Sequence, residues 1–334
     1  MPTLGCLGGK EKNTSMNKSN NVDIRNAHTS NKFIFQQLIN SAKCQAYPLY
    51  SGKNVMELPL YFAFGKSFND NFDNFTSQYL KNLKGNDVDS DTVNLVEEFI
   101  KNLRITIIEY FNGKLASAYS TFKDAMEPIK EILPIKTVQS GTFYRMRAEG
   151  GISEKKEYYH LPFDKIHLSK SERFSIEGYP CLYLGYSKHV CEMEISSGSL
   201  AKFALKESLN NILDLTLGQG DGEKNISELD LVKVYPLIAS CYIVPFYSVI
   251  QEKECRPDKS FFREEYIIPQ LLTLYLKEEG IANGIIYYSV KDPNLDLQGR
   301  GEKDYRNLVL FTNRENKASE MFDNYLIDKF EITL

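Results

Sequence analysis

The sequence predicts an α+β fold, with a mostly helical N-terminal region ahead of a domain built on a mixed sheet. Three observations point there. Two long amphipathic stripes at helical spacing lie before Pro134. Beyond it, apolar runs shorten to strand length, with helical pieces between them in irregular order rather than a strict βαβ alternation, which disfavours a doubly wound parallel sheet. Neither a Gly-x-Gly-x-x-Gly after a first strand nor a Gly-x-x-x-x-Gly-Lys-Ser/Thr run is present, so no dinucleotide-binding fingerprint or P-loop is supported.

The elements follow in chain order. Residues 1–30 are rich in Asn, Ser, Lys and Gly and bury too little to offset ordering entropy, so a mobile arm is expected. Residues 31–135 are expected to form a mainly helical domain. Phe33 to Ile39 suggests a short helix, and the pieces up to Leu83, broken by Asn, Gly and Pro, yield no assignment. From Ser90 or Asp91 as cap, Val93, Val96, Phe99, Ile100, Leu103, Ile107 and Phe111 share one helical face, ended by Gly113. Leu115, Tyr119, Phe122, Met126 and Ile129 continue as a second helix, stopping near Pro134, and core packing in a helical hairpin accounts for both stripes. Residues 136–334 form the second domain. Strand-like runs there are Gly141 to Met146, Cys181 to Leu184, Leu213 to Leu215, Ile238 to Pro245, Gly284 to Ser289 and Asn307 to Phe311, with a helix over Glu264 to Lys277. Gly220 to Gly222 reads as a turn.

Composition narrows the function. The chain has 334 residues, 42% of them hydrophobic, enough for a substantial core, and a net charge of −4. That balance lacks the basic surplus of a nucleic-acid platform. No run reaches the ~20 apolar residues of a membrane span, and the N-terminus lacks the apolar core of a signal peptide, so a cytoplasmic protein is expected. The six cysteines form no Cys-x-x-Cys pair and the four histidines do not cluster with them, so neither a metal site nor a cofactor is expected.

Four segments could carry chemistry. In Gly141 to Arg147, Arg145 and Arg147 share one strand face. Arg173 to Glu194 combines Arg173, a Gly178-Tyr179-Pro180 turn, a short apolar strand holding Tyr183, and Ser187 as cap of a helix bearing Glu192 and Glu194. An acid on a helix just after a buried, Gly-ended strand is well placed at a cleft rim. The third segment is Phe262 to Gln270; the fourth is Gly284 to Val290, with Tyr288 and Ser289, followed by Asn307 to Phe311. Taken singly, each has an ordinary structural reading: a solvated Arg, a surface Glu, a strand-end hydroxyl. His160 reads as a hydrogen-bonded structural residue rather than a base.

Taken together, FYRMR, HLPFDK, RFSIEGYPCLYLGYS, a helix Glu, EEYIIPQLL, GIIYYS and NLVLF resemble the RES-domain family over roughly residues 141 to 311. Carried over residue by residue, the family's Arg, Glu and Ser fall on Arg145, Glu194 and Ser289, with Glu192 as the neighbouring alternative to Glu194. The chain departs from the pattern at Met193, where many relatives carry an acid. The resemblance implies an ADP-ribosyltransferase-like fold and attack on NAD as substrate, by hydrolysis, phosphorolysis or ADP-ribose transfer to a protein, in toxins of toxin–antitoxin pairs or anti-phage effectors. It makes Glu194, Arg145 and Ser289 the catalytic set, and Arg173, Arg147, Tyr183 and Tyr288 the substrate-binding set. Glu194 would stabilise charge on the ribose, and Arg145 would grip the pyrophosphate. Arg173 would be a second phosphate ligand or the ion-pair partner that fixes the Glu helix. An antitoxin or regulatory protein is the expected partner, with homo-oligomerisation left open. The rival reading is a pocket that binds a nucleotide without turnover.

Overall fold

The computed structural model describes residues 60–61, 67–85, 88–148, 154–195, 197–216, 226–244, 262–291, 304–314 and 321–334. The expected N-terminal arm, the Phe33 to Ile39 helix, the Gly220 to Gly222 turn and most of the polar loop after Lys291 lie outside them.

The first part is helical. α1 (Phe68–Lys84) starts at a capping box in which Ser67 accepts from the Asp70 N–H and Asp70 reaches back to Ser67. Its buried residues Phe68, Phe72, Phe75, Tyr79 and Leu83 follow helical spacing. α2 (Ser90–Phe111) is capped by Asp89, which accepts from the Thr92 N–H, one residue ahead of the expected cap. Gly113 takes φ +72°, the left-handed conformation that lets the chain reverse into α3 (Leu115–Met126). A 3₁₀ turn (Glu127–Ile132) leads to Pro134.

The second part is a mixed eight-stranded sheet, so the molecule is α+β with a helical N-terminal part. Its strands are β2 (Ile135–Val138), β3 (Thr142–Arg147), β4 (Cys181–Gly185), β5 (Ser199–Leu205), β6 (Leu209–Asp214), β8 (Gly284–Tyr288), β9 (Arg306–Phe311) and β10 (Phe330–Thr333). They lie in the order β10-β5-β3-β4-β9-β8-β6-β2, and only β6 and β8 run parallel. A separate parallel pair joins β1 (Leu60–Tyr61) to β7 (Ile243–Val244). α4 (Lys188–Glu194) follows β4, α5 (Glu228–Cys241) precedes β7, α6 (Ile267–Glu278) precedes β8, and α7 (Asn324–Lys329) precedes β10.

One sheet face packs on the helices: Cys181, Leu213, Ile285, Val309 and Phe311 share a core with Phe72, Tyr79, Leu103, Phe122, Tyr235 and Tyr275. The opposite face buries Phe143, Leu182, Phe203, Ile286, Leu308 and Phe330. The alternation of Leu182, Leu184 with Cys181, Tyr183 on β4 divides those residues between the two cores.

The run from Ile238 to Pro245 is not the expected strand. It is the end of α5, followed by the two-residue β7. Val232, Val234, Tyr235, Leu237, Ile238 and Ala239 are all buried, so the helix has no polar face near this end and its apolar run cannot be told from a strand by periodicity.

Candidate functional site

The site is built around the end of β4. Gly185 lets α4 sit directly on that strand, because a Cβ there would lie 2.5 Å from Val190 Cγ1 and 2.7 Å from Cys191 Sγ. Ser187 caps the helix by accepting from the Val190 N–H (3.1 Å) and donates to the Asp304 carbonyl (2.6 Å), which pins the helix start to the chain entering β9. Glu194 then emerges at the helix's far end with a side chain 35% exposed.

There it meets the residue just past β8. The buried Ser289 hydroxyl donates to Glu194 Oε1 (2.8 Å) and accepts from the Lys291 N–H (3.3 Å). The Lys291 ammonium lies 3.8 Å from Glu194 Oε2. The structure thus joins two sequence-nominated residues from distant segments, and it is Glu194, not the exposed Glu192, that reaches Ser289.

Two tyrosines and a loop line the same place. Tyr183 donates its hydroxyl to Ser175 Oγ (3.2 Å), and burial pushes its own ionisation well up, so it stays a neutral donor. Tyr287 is likewise pushed well up, first by burial and then by the negative charge of Glu194. Tyr288 packs in the core, where its backbone N–H is held by the Tyr242 hydroxyl (3.0 Å). Glu172 sits at the rim, open on one side. The protein on its other side strips water from it and pushes its carboxyl up; Arg263 opposes this and Glu194 adds to it. Cys191 is buried, and its thiol is pushed up to about 11 by burial, so it is not a nucleophile near neutral pH.

The arginines are placed differently from one another. β3 and β4 pair at one position, Tyr144 with Gly185, while β4 pairs with β9 along five. The strands therefore part beside Tyr183, and Arg145 bridges the gap by donating to the Tyr183 carbonyl (3.1 Å). Burial and the neighbouring Arg147 both work against the Arg145 charge, yet among the described residues no carboxylate pairs with it. Arg147 donates to the Tyr159 carbonyl (2.7 Å) on the far core, and its Nε is buried without a partner. Arg173 is buried, lies over the Tyr266 ring (5.1 Å), and donates to the carbonyls of Cys241 (2.9 Å) and Ile243 (3.4 Å), satisfying the end of α5. It also shares the Tyr287 neighbourhood with Glu194.

His160 is structural. Its Nε2 accepts from the Asp323 N–H (2.9 Å), which leaves Nδ1 to donate to the Leu161 carbonyl (2.7 Å). Among the described residues no group of three or more His, Cys, Asp and Glu could hold a metal ion, and no helix is long and apolar enough to cross a membrane.

Ser175, Glu172, Tyr287 and Lys291 were not nominated from the sequence. Tyr287 and Lys291 lie within two residues of Ser289, and Glu172 and Ser175 flank Arg173 within two, so proximity to a nominated residue was the only signal for them.

No family model matches the chain, and no solved structure matches it. The chain is similar to a protein of Bacillus subtilis (strain 168) named "Putative toxin YopC", with 28% identity over 262 residues that cover 70% of this chain and 59% of that protein. This chain therefore spans less than two thirds of the length of the curated relative it matches.

Proposed function

We propose that this chain is an NAD-consuming enzyme of the RES type, cleaving the nicotinamide–ribose bond by hydrolysis or phosphorolysis, and that it acts as a growth-arresting toxin. One observation carries the proposal: the Glu194 carboxylate is held by Ser289 (2.8 Å) at the rim of a site lined by Tyr183 and Tyr287. The resemblance to the RES family supplies the substrate. The similarity to a protein named "Putative toxin YopC" supports the biological role; an antitoxin or regulatory partner is part of the proposal, since a toxin must be restrained in its own cell.

The chemistry suits the residues. When the glycosidic bond breaks, its electron pair leaves on the pyridine nitrogen, neutral nicotinamide departs, and positive charge gathers on the ribose. Glu194 stabilises that charge, and a preset carboxylate contributes most where water is scarce. The Ser289 hydroxyl fixes its orientation, leaving Oε2 for the sugar or its hydroxyls. Water or phosphate then bonds to the anomeric carbon and loses its proton to solvent. Nicotinamide leaves without prior protonation, so no catalytic His is required. Arg145, with one of its N–H groups spent on a carbonyl, is the cation for the pyrophosphate, while Arg173, its guanidinium held by the Cys241 and Ile243 carbonyls, fixes the loop beside Tyr287.

Induced expression in a bacterial host tests this. Wild type should stop growth as cellular NAD falls, and Glu194→Gln should leave both unchanged. Growth arrest at full NAD, or equal arrest by Glu194→Gln, would refute the reading.

A further inference from the structure

We infer that Gln270 is a positioning residue for this site. The inference rests on the reading above only for the identity of the substrate.

Gln270 lies on α6 and is 8% exposed, and its side-chain hydrogen bonds go to a loop rather than to Glu194, Arg145 or Ser289. Its carboxamide nitrogen donates towards three acceptors on one loop: Ser171 Oγ (2.7 Å), the Glu172 carbonyl (2.9 Å) and the Ser175 carbonyl (3.2 Å). Two N–H groups thus serve three oxygens gathered by a tight reversal. In that reversal the Glu172 N–H donates to the Ser175 carbonyl (2.9 Å) and the Ser175 N–H to the Glu172 carbonyl (3.3 Å). A second helix residue, Thr273, has its hydroxyl 3.1 Å from the Phe174 carbonyl and 3.0 Å from the Pro269 carbonyl of its own helix, its one proton shared between them.

The held loop feeds the site in three directions. Glu172 shares the charge field of Glu194 and Lys291. Arg173 reaches the end of α5, beside Tyr287. Ser175 accepts from the Tyr183 hydroxyl, which ties the loop to β4. Between them Phe174 is fully buried, its ring 4.7 Å from that of Tyr287. Among the described residues the loop pairs with no strand of the sheet beyond its own two-residue bridge, so side-chain hydrogen bonds, those of α6 among them, hold it in place. An amide of this length supplies two uncharged donors from that helix position, whereas a carboxylate accepts only. Losing them frees the loop and with it the Tyr183–Ser175 link.

The test compares Gln270→Met, close in shape and without donors, with Tyr79→Phe. The Tyr79 hydroxyl donates to the Val232 carbonyl (2.7 Å) in the helical core, so its loss also removes a buried hydrogen bond, away from the site. Two readouts are taken: amide hydrogen exchange over the peptide spanning 170–184, and kcat/KM for nicotinamide release from NAD. Gln270→Met should speed exchange across that peptide by about ten-fold. It should also lower kcat/KM by about 10²-fold, the cost of misplacing substrate-facing groups by ~1 Å. Tyr79→Phe should leave both as in wild type. Unchanged exchange in Gln270→Met, or turnover equal to that of Tyr79→Phe, overturns the inference. If wild type releases no nicotinamide, the proposed reaction falls, and the exchange comparison by itself then sustains or overturns the role of Gln270 in holding the loop.

Discussion

Replacing Gly185 by alanine would put a methyl carbon 2.5 Å from Val190 Cγ1 and 2.7 Å from Cys191 Sγ. Both belong to α4, whose start is fixed by Ser187 through its bonds to the Val190 N–H (3.1 Å) and the Asp304 carbonyl (2.6 Å). To restore an ordinary contact of ~3.5 Å the helix must lift by about 1 Å. Such overpacking costs about 1–3 kcal/mol. At about 2–4 °C per kcal/mol for a sizeable domain, the melting temperature should fall by roughly 2–12 °C. The activity loss should be larger than this suggests. A helix pinned at its start tilts, and Glu194 at its far end moves most, stretching the 2.8 Å bond from Ser289. A ~1 Å misplacement of a reacting group can cost about 10²-fold in rate. The assay pairs a thermal melt with kcat/KM for NAD at a temperature where the variant is fully folded. A wild-type melt would show that the contact of α4 with β4 is not tight. A lowered melt with full activity would show that α4 does not set the position of Glu194.

Two further outcomes follow from buried polar groups. Asp304 and Arg306 form a buried pair, with Oδ2 2.7 Å from the Arg306 NH2 group, so Asp304→Ala should destabilise the chain by about 3–5 kcal/mol in urea unfolding, whereas a loss below about 1 kcal/mol would mark the pair as no better than a surface one. Burial lowers the pKa of His160, outweighing the Leu161 carbonyl and the Asp323 charge, which both raise it, and the ring accepts from the Asp323 N–H through Nε2. The unfolded chain binds that proton more readily, so its contribution is complete above the unfolded value of about 6.5 and is lost as pH falls from there through the lower folded value. His160→Gln should therefore narrow the difference in melting temperature between pH about 7.5 and about 5.5; an unchanged difference would assign the pH dependence to other groups.

The parts of the fold legible in the sequence are those where burial leaves a one-sided pattern. α2 alternates buried Val93, Val96, Phe99 and Ile100 with a solvated face, and β4, β8 and β9 are short apolar runs bounded by turns. α1 carries the same signal in Ser67, Asp70 and its Phe72, Phe75, Tyr79 spacing, but the four Asn and Asp residues between them obscure it. α5 was obscured by being apolar nearly all round, and β5, whose Lys202 and Ser199 are exposed, by being too polar. β10 escaped notice because a four-residue run such as Phe330–Thr333 carries little periodicity of its own.

The site divides in the same way. Glu194 and Ser289 could be named as a pair through the resemblance to the RES family, each lying just after a strand whose pattern is clear. Their meeting across 95 positions in sequence depends on β9 lying between β4 and β8, an order the sequence does not display. The arginines were harder still. Which carbonyl a guanidinium satisfies is decided by where strands part and helices end, as with Tyr183 for Arg145 and Cys241 for Arg173. Gln270 closes the Phe262 to Gln270 segment, but its part in the site depends on the three oxygens folded beneath it, which the sequence does not display.

The most direct test of the central claim is chromatography of NAD incubated with the purified chain, with and without phosphate, beside Glu194→Gln. The account predicts nicotinamide release by wild type, a second product that reports whether water or phosphate was the acceptor, and release lowered by about 10²–10³-fold in Glu194→Gln. Nicotinamide release undiminished in that variant, or NAD left intact by wild type, would contradict it.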